Sequence, residues 1–503
     1  MIRKQLIGVV AALFSVVAII TAYFTVIKPL IDEKTAVVEE IPELQPGEEI
    51  GTSNRFYMYS NIKREDMASI EISNQTGKYK LVRNADLTFS IEGYEDVALD
   101  ENVVSSLVTT CGSTLSKIKV MDNAPADKIA EYGLDVPSAY WIVTDTSGKQ
   151  YMVYVGRELL TGGGYYCRFA GRDSVYVLDT TVEETVLQPR EKYVVPYIMF
   201  GVSTDDYYTV DNFTVYRNKD KFISIGLVDK DDQSNPDALA ENIVTYPVPY
   251  QPDAETFFGI LTSLSSFTGD STYLLGYDED DLRECRLDDP DYTVSFDYGG
   301  KTYYFFASDD GDGGYYVLSG IYSDIITHIY QRDLRYLKFD LMDWLSQYIF
   351  RRNITTVSSI SIKTDSLDET FALSHFTDEK GGAGLFVKSR SGAVFEDVNS
   401  VTSFRHYYSD LLAIAIKDYV PEEASDGVKM TDFIADDSNL TMKVTVKTLK
   451  GEELEYCFYR YSTRRCAVTV NGRCDFCVLY DVVRNIETDT VRLLNGETID
   501  VRK

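Results

Sequence analysis

The chain has few cysteines and no regular cysteine pattern. Its 503 residues include seven, an odd number, and the first is Cys111. A disulfide framework requires an even, regularly spaced set, so disulfides do not define this fold. Because an oxidising secretory lumen usually selects more cysteine pairs, we interpret the sparse count as typical of a bacterial envelope of Gram-positive type.

Basic residues are too few to balance the acidic ones. Lysine and arginine total 49 against 79 aspartates and glutamates, which gives a net charge of −30. Binding to nucleic acid needs a basic surface that displaces counterions, so this composition argues against nucleic acid and against anionic lipid as partners. We interpret the acidity as a solubility feature, with cationic partners or weakly held calcium as the functional alternatives.

Histidine is rarer still, with three residues, His328, His375 and His406. They fall in different predicted elements, and none has a partner at the spacing of a metal site. The sequence also lacks the Gly-x-Ser-x-Gly and His-Glu-x-x-His motifs of hydrolases. We therefore expect no catalytic residue, no cofactor and no metal, in a protein that is not an enzyme. A carboxylate pair of the glycosidase type stays open, because 79 acidic residues give no basis for choosing one.

Long apolar runs are absent except for one, over residues 6–27, which contains no charge. About 20 helical residues span a hydrocarbon core of about 30 Å. Arg3 and Lys4 precede the run, which favours a cytoplasmic tail over residues 1–5. The run exceeds the usual apolar region of a signal peptide, and no small-x-small cleavage site follows it. The sequence thus predicts a transmembrane helix over 6–27 in the cell membrane, with the bulk of the chain extracellular.

After an acidic linker over residues 28–60, the chain repeats itself about every 145–150 residues. Each copy contains an alternating strand, an amphipathic helix and a four-strand antiparallel meander. In the first copy Asp100 caps a helix with the apolar stripe Val103, Leu107, Cys111 and Leu115. The first meander is predicted at residues 140–144, 151–155, 165–169 and 175–178. The predicted repeats cover residues 61–200, 201–349 and 350–503.

The predicted fold class is therefore α+β. It consists of one N-terminal transmembrane helix followed by three tandem, mainly antiparallel β-sheet repeats, each with a packed amphipathic helix. A short helical turn with a tight stop precedes each meander. In the first copy Gly133 is placed to take a left-handed cap, and Pro137 prevents continuation of the helix. The later copies have Arg286 and Ile434 at this position, so we expect their caps to differ.

Three polar segments are candidates for chemistry. Residues 161–164 are glycine-rich but lack the Lys-Ser/Thr of a phosphate-binding loop, which favours a hairpin turn. Residues 308–314 resemble a calcium loop, but Ser308 replaces the first ligand and no glutamate closes the loop, which favours a hairpin tip. The acidic run over residues 278–281 is typical of a helix N-terminus.

The C-terminal cysteines form the last candidate. Cys474 and Cys477 have the spacing of half a redox or zinc motif, but no second pair exists. Counting outward from the hairpin signal at Asn471 and Gly472 places Cys466 opposite Cys477. A disulfide between Cys466 and Cys477, two packed thiols and a metal site all stay open, although a hydrogen-bonded cross-strand pair has a Cα separation of about 5.5 Å.

Several motifs of the first copy resemble a known family. They are Tyr132-Gly133-Leu134 with Pro137, Val155-Gly156, Tyr165-Tyr166 and the strand over 175–178. Together with a single N-terminal span, they resemble the uncharacterised bacterial domain of unknown function 4340 family, whose members are similar to auxiliary proteins encoded beside gliding-type, ABC-2-like transporters. The resemblance covers the first copy well and the other two weakly, and it implies an envelope location and a role by association.

The expected function is that of a non-enzymatic, membrane-anchored extracellular protein. The resemblance implies an auxiliary component of an ABC-type export or surface-assembly system, with ABC-type permease subunits or other envelope proteins as partners. The alternative is a surface adhesin or glycan-binding protein, whose tyrosine-rich hairpin tips would stack on sugars. An envelope hydrolase would need a clustered, buried carboxylate pair in a cleft.

Overall fold

The structure is a computed structural model that describes residues 44–51, 55–200, 202–203, 205–228, 242–377 and 383–501. These residues form two compact units. The first unit comprises the described residues up to Phe89 together with Val104–Gln188. The second comprises Ser90–Val103 and the described residues from Pro189 onward.

A short ribbon of two strands, β1 (Glu49–Ile50) and β2 (Phe56–Tyr57), comes first. The first large sheet has eight strands: β3 (Met67–Asn74), β4 (Gly77–Arg83), β5 (Phe89–Ile91), β6 (Ile118–Met121), β7 (Ala139–Asp145), β8 (Gln150–Glu158), β9 (Tyr165–Phe169) and β10 (Val175–Leu178). The helices along this stretch are α1 (Glu101–Gly112), α2 (Ala126–Glu131) and α3 (Thr181–Glu184). The strand order is β5-β4-β3-β7-β8-β9-β10-β6.

The next stretch of the chain forms the second large sheet and one small sheet. The small sheet pairs β11 (Tyr197–Phe200) with β15 (Ser266–Thr268). The large sheet contains β12 (Asp211–Arg217), β13 (Asp220–Leu227), β14 (Asn242–Tyr246), β16 (Ser271–Leu275), β17 (Tyr292–Tyr298), β18 (Lys301–Asp309), β19 (Gly314–Ser319) and β20 (Ile325–Tyr330). The helices are α4 (Ala254–Ser263), α5 (Glu279–Glu284) and α6 (Leu341–Trp344). The strand order is β14-β13-β12-β17-β18-β19-β20-β16.

The third large sheet has nine strands. They are β21 (Val357–Lys363), β22 (Asp368–Thr377), β23 (Ala383–Ser389), β24 (Val394–Phe395), β25 (Ile416–Tyr419), β26 (Leu440–Thr448), β27 (Glu453–Arg460), β28 (Arg465–Val470) and β29 (Arg473–Leu479). The helices are α7 (Val398–Leu412), α8 (Met430–Ala435) and α9 (Tyr480–Leu494). The strand order is β24-β23-β22-β21-β26-β27-β28-β29-β25.

The three large sheets share one strand order. In each, the first strand lies inside the sheet, the next strands extend to one edge, and the meander extends to the other. The strand that follows the main helix then crosses back to close the far edge, as β6, β16 and β25 do. The repeat boundaries predicted at 61–200, 201–349 and 350–503 stay predictions, since the compact units divide the chain differently.

The meander strands of the first copy lie where the sequence placed them. In β7 the side chains of Ala139, Trp141 and Val143 are buried, and those between them are less buried. This alternation follows the two-residue period of a strand with one face on a core. Helix capping also follows the sequence, because the Asp100 carboxylate accepts hydrogen bonds from the backbone of Asn102 at 2.9 Å and Val103 at 3.4 Å.

One apolar core continues from the second large sheet into the third. Helix α4 contributes Phe257, whose ring lies 5.6 Å from that of Phe213 in β12. Helix α7 contributes Phe404, whose ring lies 5.3 Å from that of Phe371 in β22. Full burial of such a ring contributes about 1.5–3 kcal/mol, so these contacts hold each main helix on its sheet.

Residues 44–50 fall in the predicted linker, yet they pack on the first unit as a strap. Glu48 in this strap is buried, and its carboxylate pairs with Lys119 Nζ at 3.1 Å. The Tyr176 hydroxyl donates a second hydrogen bond to Glu48. Burial, followed by the hydrogen bond to Glu48, raises the pKa of Tyr176 well above its ordinary value, so this hydroxyl stays a donor at neutral pH.

The structure corrects the predicted fold class and the predicted location. No helix of the described part is long and apolar enough to cross a membrane. Its longest helices, α7 and α9, have 15 residues each, or about 22 Å against a hydrocarbon core of about 30 Å. The segment 6–27 and the tail 1–5 lie outside the described residues. We therefore withdraw the single-pass transmembrane helix, the cell-membrane location with a cytoplasmic N-terminus, and the extracellular placement of the bulk.

The sheets of the described chain are antiparallel, as the sequence predicted. Each large sheet also contains edge strands that the sequence did not predict. Examples are β6, β16 and β25. These strands are short, and their partners lie about 50 residues away or more in the chain, so no local pattern marks them.

Candidate functional site

The histidines that the sequence singled out lie apart and have structural partners. His328 Nε2 lies 2.8 Å from the Asp310 carboxylate, which is in the hairpin tip between β18 and β19. His375 Nε2 and His406 Nδ1 each lie 2.8 Å from a backbone carbonyl, of Val357 and Ile499 respectively. Among the described residues, no three histidine, cysteine, aspartate or glutamate side chains are placed to hold a metal ion.

The calcium-like loop over residues 308–314 is the tip of the β18–β19 hairpin. Ser308 is buried, and its hydroxyl donates to the backbone oxygen of Arg286 at 2.7 Å. The Asp310 carboxylate accepts hydrogen bonds from the backbone of Asp312 and Gly314 as well as facing His328. Burial alone would raise the pKa of Asp310, but these hydrogen bonds outweigh it and hold the pKa below its ordinary value. The carboxylate oxygens thus stabilise the turn itself.

The other two polar segments also have local structural roles. Residues 161–164 connect the paired strands β8 and β9, and Gly162 and Gly163 adopt positive φ angles of 72° and 80°. The acidic run 278–281 begins α5, where Asp278 and Asp281 form a capping box. Both interpretations made from the sequence are confirmed.

The register of β28 and β29 differs from the count made outward from the turn. A bulge between Val468 and Thr469 places Val478 opposite Cys466, and Ala467 opposite Cys477. Successive side chains face opposite sides of a strand, so Cys466 and Cys477 point to different faces. All seven cysteines are free thiols. Burial raises the pKa of Cys466 to about 12, which leaves this thiol protonated and unreactive at neutral pH.

The family-like motifs of the first copy form one packed cluster. Helix α2 ends at a left-handed Gly133, with φ 69°, and the backbone of Leu134 donates to Ile129 at 2.9 Å. Strand β8 passes against this cap, because the backbone of Arg157 donates to the Tyr132 oxygen at 2.8 Å. A Cβ on Gly156 would lie 2.3 Å from the same oxygen, so only glycine allows this approach.

The aromatic motif residues complete the same cluster. The rings of Tyr132 and Tyr166 stack with centroids 4.2 Å apart. Leu134 is fully buried beside Val175, the first residue of β10. The fold therefore packs four motifs against one another: Tyr-Gly-Leu, Val-Gly, Tyr-Tyr and the strand over 175–178.

The second copy keeps the same cap without glycine. Arg286 has φ 57°, and the backbone of Leu287 donates to Leu282 at 2.8 Å as Leu134 does to Ile129. Our expectation that the later caps differ is therefore wrong for the second copy. It is right for the third, where α8 ends at Asp436 with φ −91°.

A groove of about 770 Å³ lies beside the cluster in the first unit. Its wall contains Gly133 and Gly156, together with two exposed neighbours of opposite charge, Arg157 and Glu158. Val136 at its rim is 80% exposed. Asp135, also exposed, lines the groove; it and Glu158 are not the buried carboxylate pair that a glycosidase requires.

Among the described residues that line the groove, the hydroxyl groups of Ser138 and Tyr165 serve as hydrogen-bond donors. Ser138 donates its hydroxyl hydrogen to the strand oxygens of Val155 and Gly156, at 3.1 and 3.0 Å. Burial, followed by the nearby carboxylates Glu183 and Glu158, raises the pKa of Tyr165, so this phenol is a hydrogen-bond donor at neutral pH. The groove offers charged, hydrogen-bonding and apolar contacts to a partner.

A second cavity, of about 260 Å³, lies in the second unit where the chain passes from the second large sheet to the third. We call it the arginine pocket. Three arginines line it, Arg351, Arg352 and Arg473. The Arg473 guanidinium pairs with Asp475 at 2.5 Å, and Arg352 lies 3.5 Å from Glu452. Arg351 has no ion pair within the described ranges.

Aromatic rings form much of the wall of the arginine pocket. Tyr250 packs on Phe476 with ring centroids 4.6 Å apart, and its hydroxyl donates to the Tyr348 oxygen at 3.3 Å. The Arg351 guanidinium lies 5.5 Å from the centre of the Tyr250 ring. A cation over an aromatic face is held in place by the charge distribution of the ring, so Tyr250 orients Arg351 toward the cavity.

Sequence reasoning missed this pocket. Arg351 and Arg352 form the one signal that could have indicated it, a basic doublet after an apolar stretch in a very acidic chain. Arg473 comes from the far end of the third sheet, so its approach to the doublet could not be read from spacing.

Comparisons with known proteins agree with the motif residues. A family model described as "Domain of unknown function (DUF4340)" matches residues 90–273. No curated protein and no solved structure matches the chain. Residues 90–273 thus carry a match to the domain of unknown function 4340 family, which confirms the resemblance that the Tyr-Gly-Leu, Val-Gly and Tyr-Tyr motifs indicated.

Proposed function

We propose that this protein is a non-enzymatic binding protein that serves as an auxiliary component of an ABC-type export or surface-assembly system. The observation that carries the proposal is the family match over residues 90–273, taken with the resemblance of that family to transporter-associated proteins. The motif residues also support it, because they pack against each other and so have a structural role.

The groove beside the motif cluster is the surface that we assign to the partner. It combines the exposed apolar side chain of Val136 with the charges of Arg157 and Glu158. Mixed apolar and charged contacts are typical of interfaces between proteins that also exist apart. The proposed partners are ABC-type permease subunits. Nucleic acid is not proposed, because the net charge of −30 opposes it.

Affinity purification tests this proposal. The full-length protein, tagged at its C-terminus, is purified from its own cells after mild crosslinking, and co-purified proteins are identified by mass spectrometry. We expect transporter subunits to be enriched over a mock purification. Repeated purification that yields the tagged protein without any transporter subunit would contradict the proposal.

An aromatic surface in the second unit favours glycan binding as the second candidate. Tyr273 and Tyr316 have ring centroids 4.6 Å apart, and His328 lies between Tyr316 and Tyr330 at 6.1 and 5.6 Å. Tyr273 and Tyr330 are 39% and 52% exposed, and exposed aromatic faces can stack on sugar rings. Glycan-array binding that is lost in Tyr330→Ala and kept in Tyr208→Ala would support this candidate. An array with no bound glycan would reject it.

A further inference from the structure

We propose that the arginine pocket binds a carboxylate carried on an apolar or aromatic body. The inference stands apart from the proposed auxiliary role, because the three arginines on which it depends lie outside the family match, although Tyr250 in the wall lies inside it. Arg351, Arg352 and Arg473 all lie beyond residue 273, where the match ends.

The charges in the pocket leave one positive charge unmatched. Three arginines line the pocket, Arg351, Arg352 and Arg473. Arg352 pairs with Glu452, and Arg473 pairs with Asp475. Glu452 pairs with Arg352 from outside the lining of the pocket, so the guanidinium of Arg351 alone is left without a carboxylate partner among the described residues. A carboxylate supplies one negative charge, whereas a phosphate monoester carries close to two at neutral pH. The charge count therefore favours the carboxylate.

The unmatched charge is located at Arg351. Its Nε donates to the Tyr348 oxygen at 3.0 Å, which fixes the guanidinium plane. Its Nη2 is shielded from solvent and has no hydrogen-bond partner in the part of the chain that the structure describes. A buried donor without a partner costs free energy that a ligand can recover. Guanidinium and carboxylate form short, charge-assisted hydrogen bonds, often in pairs.

The walls of the pocket determine the rest of the ligand. Tyr250 and Phe476 provide aromatic faces, while Leu454 and Val468 provide aliphatic ones. The volume of about 260 Å³ is just below the usual range of ligand sites, which is about 300–1,000 Å³. It suits one acid with a single ring or short chain, and it is too small for an oligosaccharide. Such a carboxylate comes either from a free small acid or from the C-terminal residue of a polypeptide.

Isothermal titration calorimetry of the full chain at low salt tests the inference. The probes are phenylacetate, its neutral isostere phenylacetamide, and phenyl phosphate. We expect phenylacetate to bind with a Kd on the order of 0.1–1 mM, and the amide to bind at least about tenfold more weakly. A short peptide ending in phenylalanine, with a free or an amidated terminus, distinguishes the sources. Tighter binding of the free-ended peptide than of phenylacetate assigns a polypeptide terminus, and weaker binding assigns a free acid.

Variants locate the binding. Arg351→Gln should weaken phenylacetate binding at least about tenfold. Arg460→Gln is the matched control, because Arg460 also stacks on a tyrosine, 3.8 Å from the centre of the Tyr480 ring, but lies outside the pocket. Thermal unfolding checks that both variants fold, and Arg473→Gln, whose side chain is 50% exposed, replaces Arg351→Gln if that variant does not. Equal binding of acid and amide, tighter binding of phenyl phosphate, or binding unchanged by both pocket variants would overturn the inference.

Discussion

At the scale of single residues, Gly156 is the position in the family-like motifs that has the least room for a side chain. An added methyl group would lie 2.3 Å from the Tyr132 oxygen and 3.0 Å from Leu134 Cδ2. It would push β8 away from the cap of α2 and break the hydrogen bond between Arg157 and Tyr132. We expect Gly156→Ala to lower the free energy of unfolding by about 2–3 kcal/mol, as overpacked core sites do.

Urea denaturation measures this change, and Gly259→Ala is its control. Gly259 lies in α4 with no neighbouring atom within 4 Å of an added Cβ. Alanine is favoured over glycine in a helix by about 0.5–1 kcal/mol, so this variant should be neutral or slightly more stable. A Gly156→Ala variant as stable as the wild type would show that the Val-Gly motif does not need close contact with the Tyr-Gly-Leu motif.

Protonation of Asp310 should change the free energy of unfolding. Its pKa is held below the ordinary value in the folded protein, so its stabilising effect is complete above the unfolded-state pKa of about 3.9. The effect is lost as the pH falls through the lower pKa of the folded state. Asp310→Asn should therefore cost about 1–2 kcal/mol at pH 7, and the difference from wild type should shrink toward acidic pH.

Urea titrations between neutral and acidic pH check this prediction. Asp312→Asn is the control in the same hairpin tip, since the Asp312 side chain is exposed and should matter little. A difference between wild type and Asp310→Asn that grows as the pH falls below about 4 would contradict the assigned hydrogen bonds.

Two residues explain why parts of the site could not be predicted from the sequence. Arg286 takes the left-handed cap that the sequence reserves for glycine, because the neighbouring hydrogen bonds hold it there. Cys466 lies opposite Val478 instead of Cys477, because a bulge between Val468 and Thr469 shifts the register by one residue. Both outcomes depend on tertiary packing, which overrides local preference. The cap at Gly133 and the meander of the first copy, by contrast, depend on local signals and were predictable.

At the scale of secondary-structure elements, the strap over residues 44–50 depends on one buried ion pair. The Glu48 side chain is fully buried and pairs with Lys119, which is 7% exposed. Glu48→Gln would leave Lys119 with Asp122 alone, at 2.6 Å. Lys119 keeps Asp122 as a partner but loses the buried carboxylate, so we expect a loss of about 1–3 kcal/mol in the free energy of unfolding.

Chemical denaturation of Glu48→Gln and of the neighbouring variant Glu49→Gln separates this effect from a general loss of charge. Glu49 is exposed and accepts one hydrogen bond, from Ser60, so its variant should lose less than about 1 kcal/mol. Equal effects of the two variants would mean that the strap is not held by Glu48.

The edge strands mark the limit of prediction at this scale. Strand β6 has four residues and pairs with β10, about 55 residues later in the chain. Its pattern alone did not predict a strand, whereas β7 to β10 follow one another and pair with their sequence neighbours. The same limit hid the arginine pocket, which is built from segments about 100 residues apart.

At the scale of the whole molecule, the net charge of −30 should oppose the compact state. Salt screens such repulsion, with a Debye length of about 10 Å at 0.1 M. We expect the unfolding temperature at pH 7 to rise as sodium chloride is added. The rise should vanish near pH 4.5, the isoelectric point of the chain. A fall in the unfolding temperature with salt at pH 7 would mean that ion pairs outweigh the repulsion.

The central claim is that the protein acts by contact with a partner through the groove beside the motif cluster. Site-specific photo-crosslinking in its own cells tests this most directly. A photoreactive residue replaces Val136, at the rim of the groove, or Val398, which is 83% exposed at the start of α7 in the other unit and serves as the matched control. We predict that the probe at Val136 crosslinks to a transporter subunit and that the probe at Val398 does not. Crosslinks of equal yield at both positions, or none at Val136, would contradict the account.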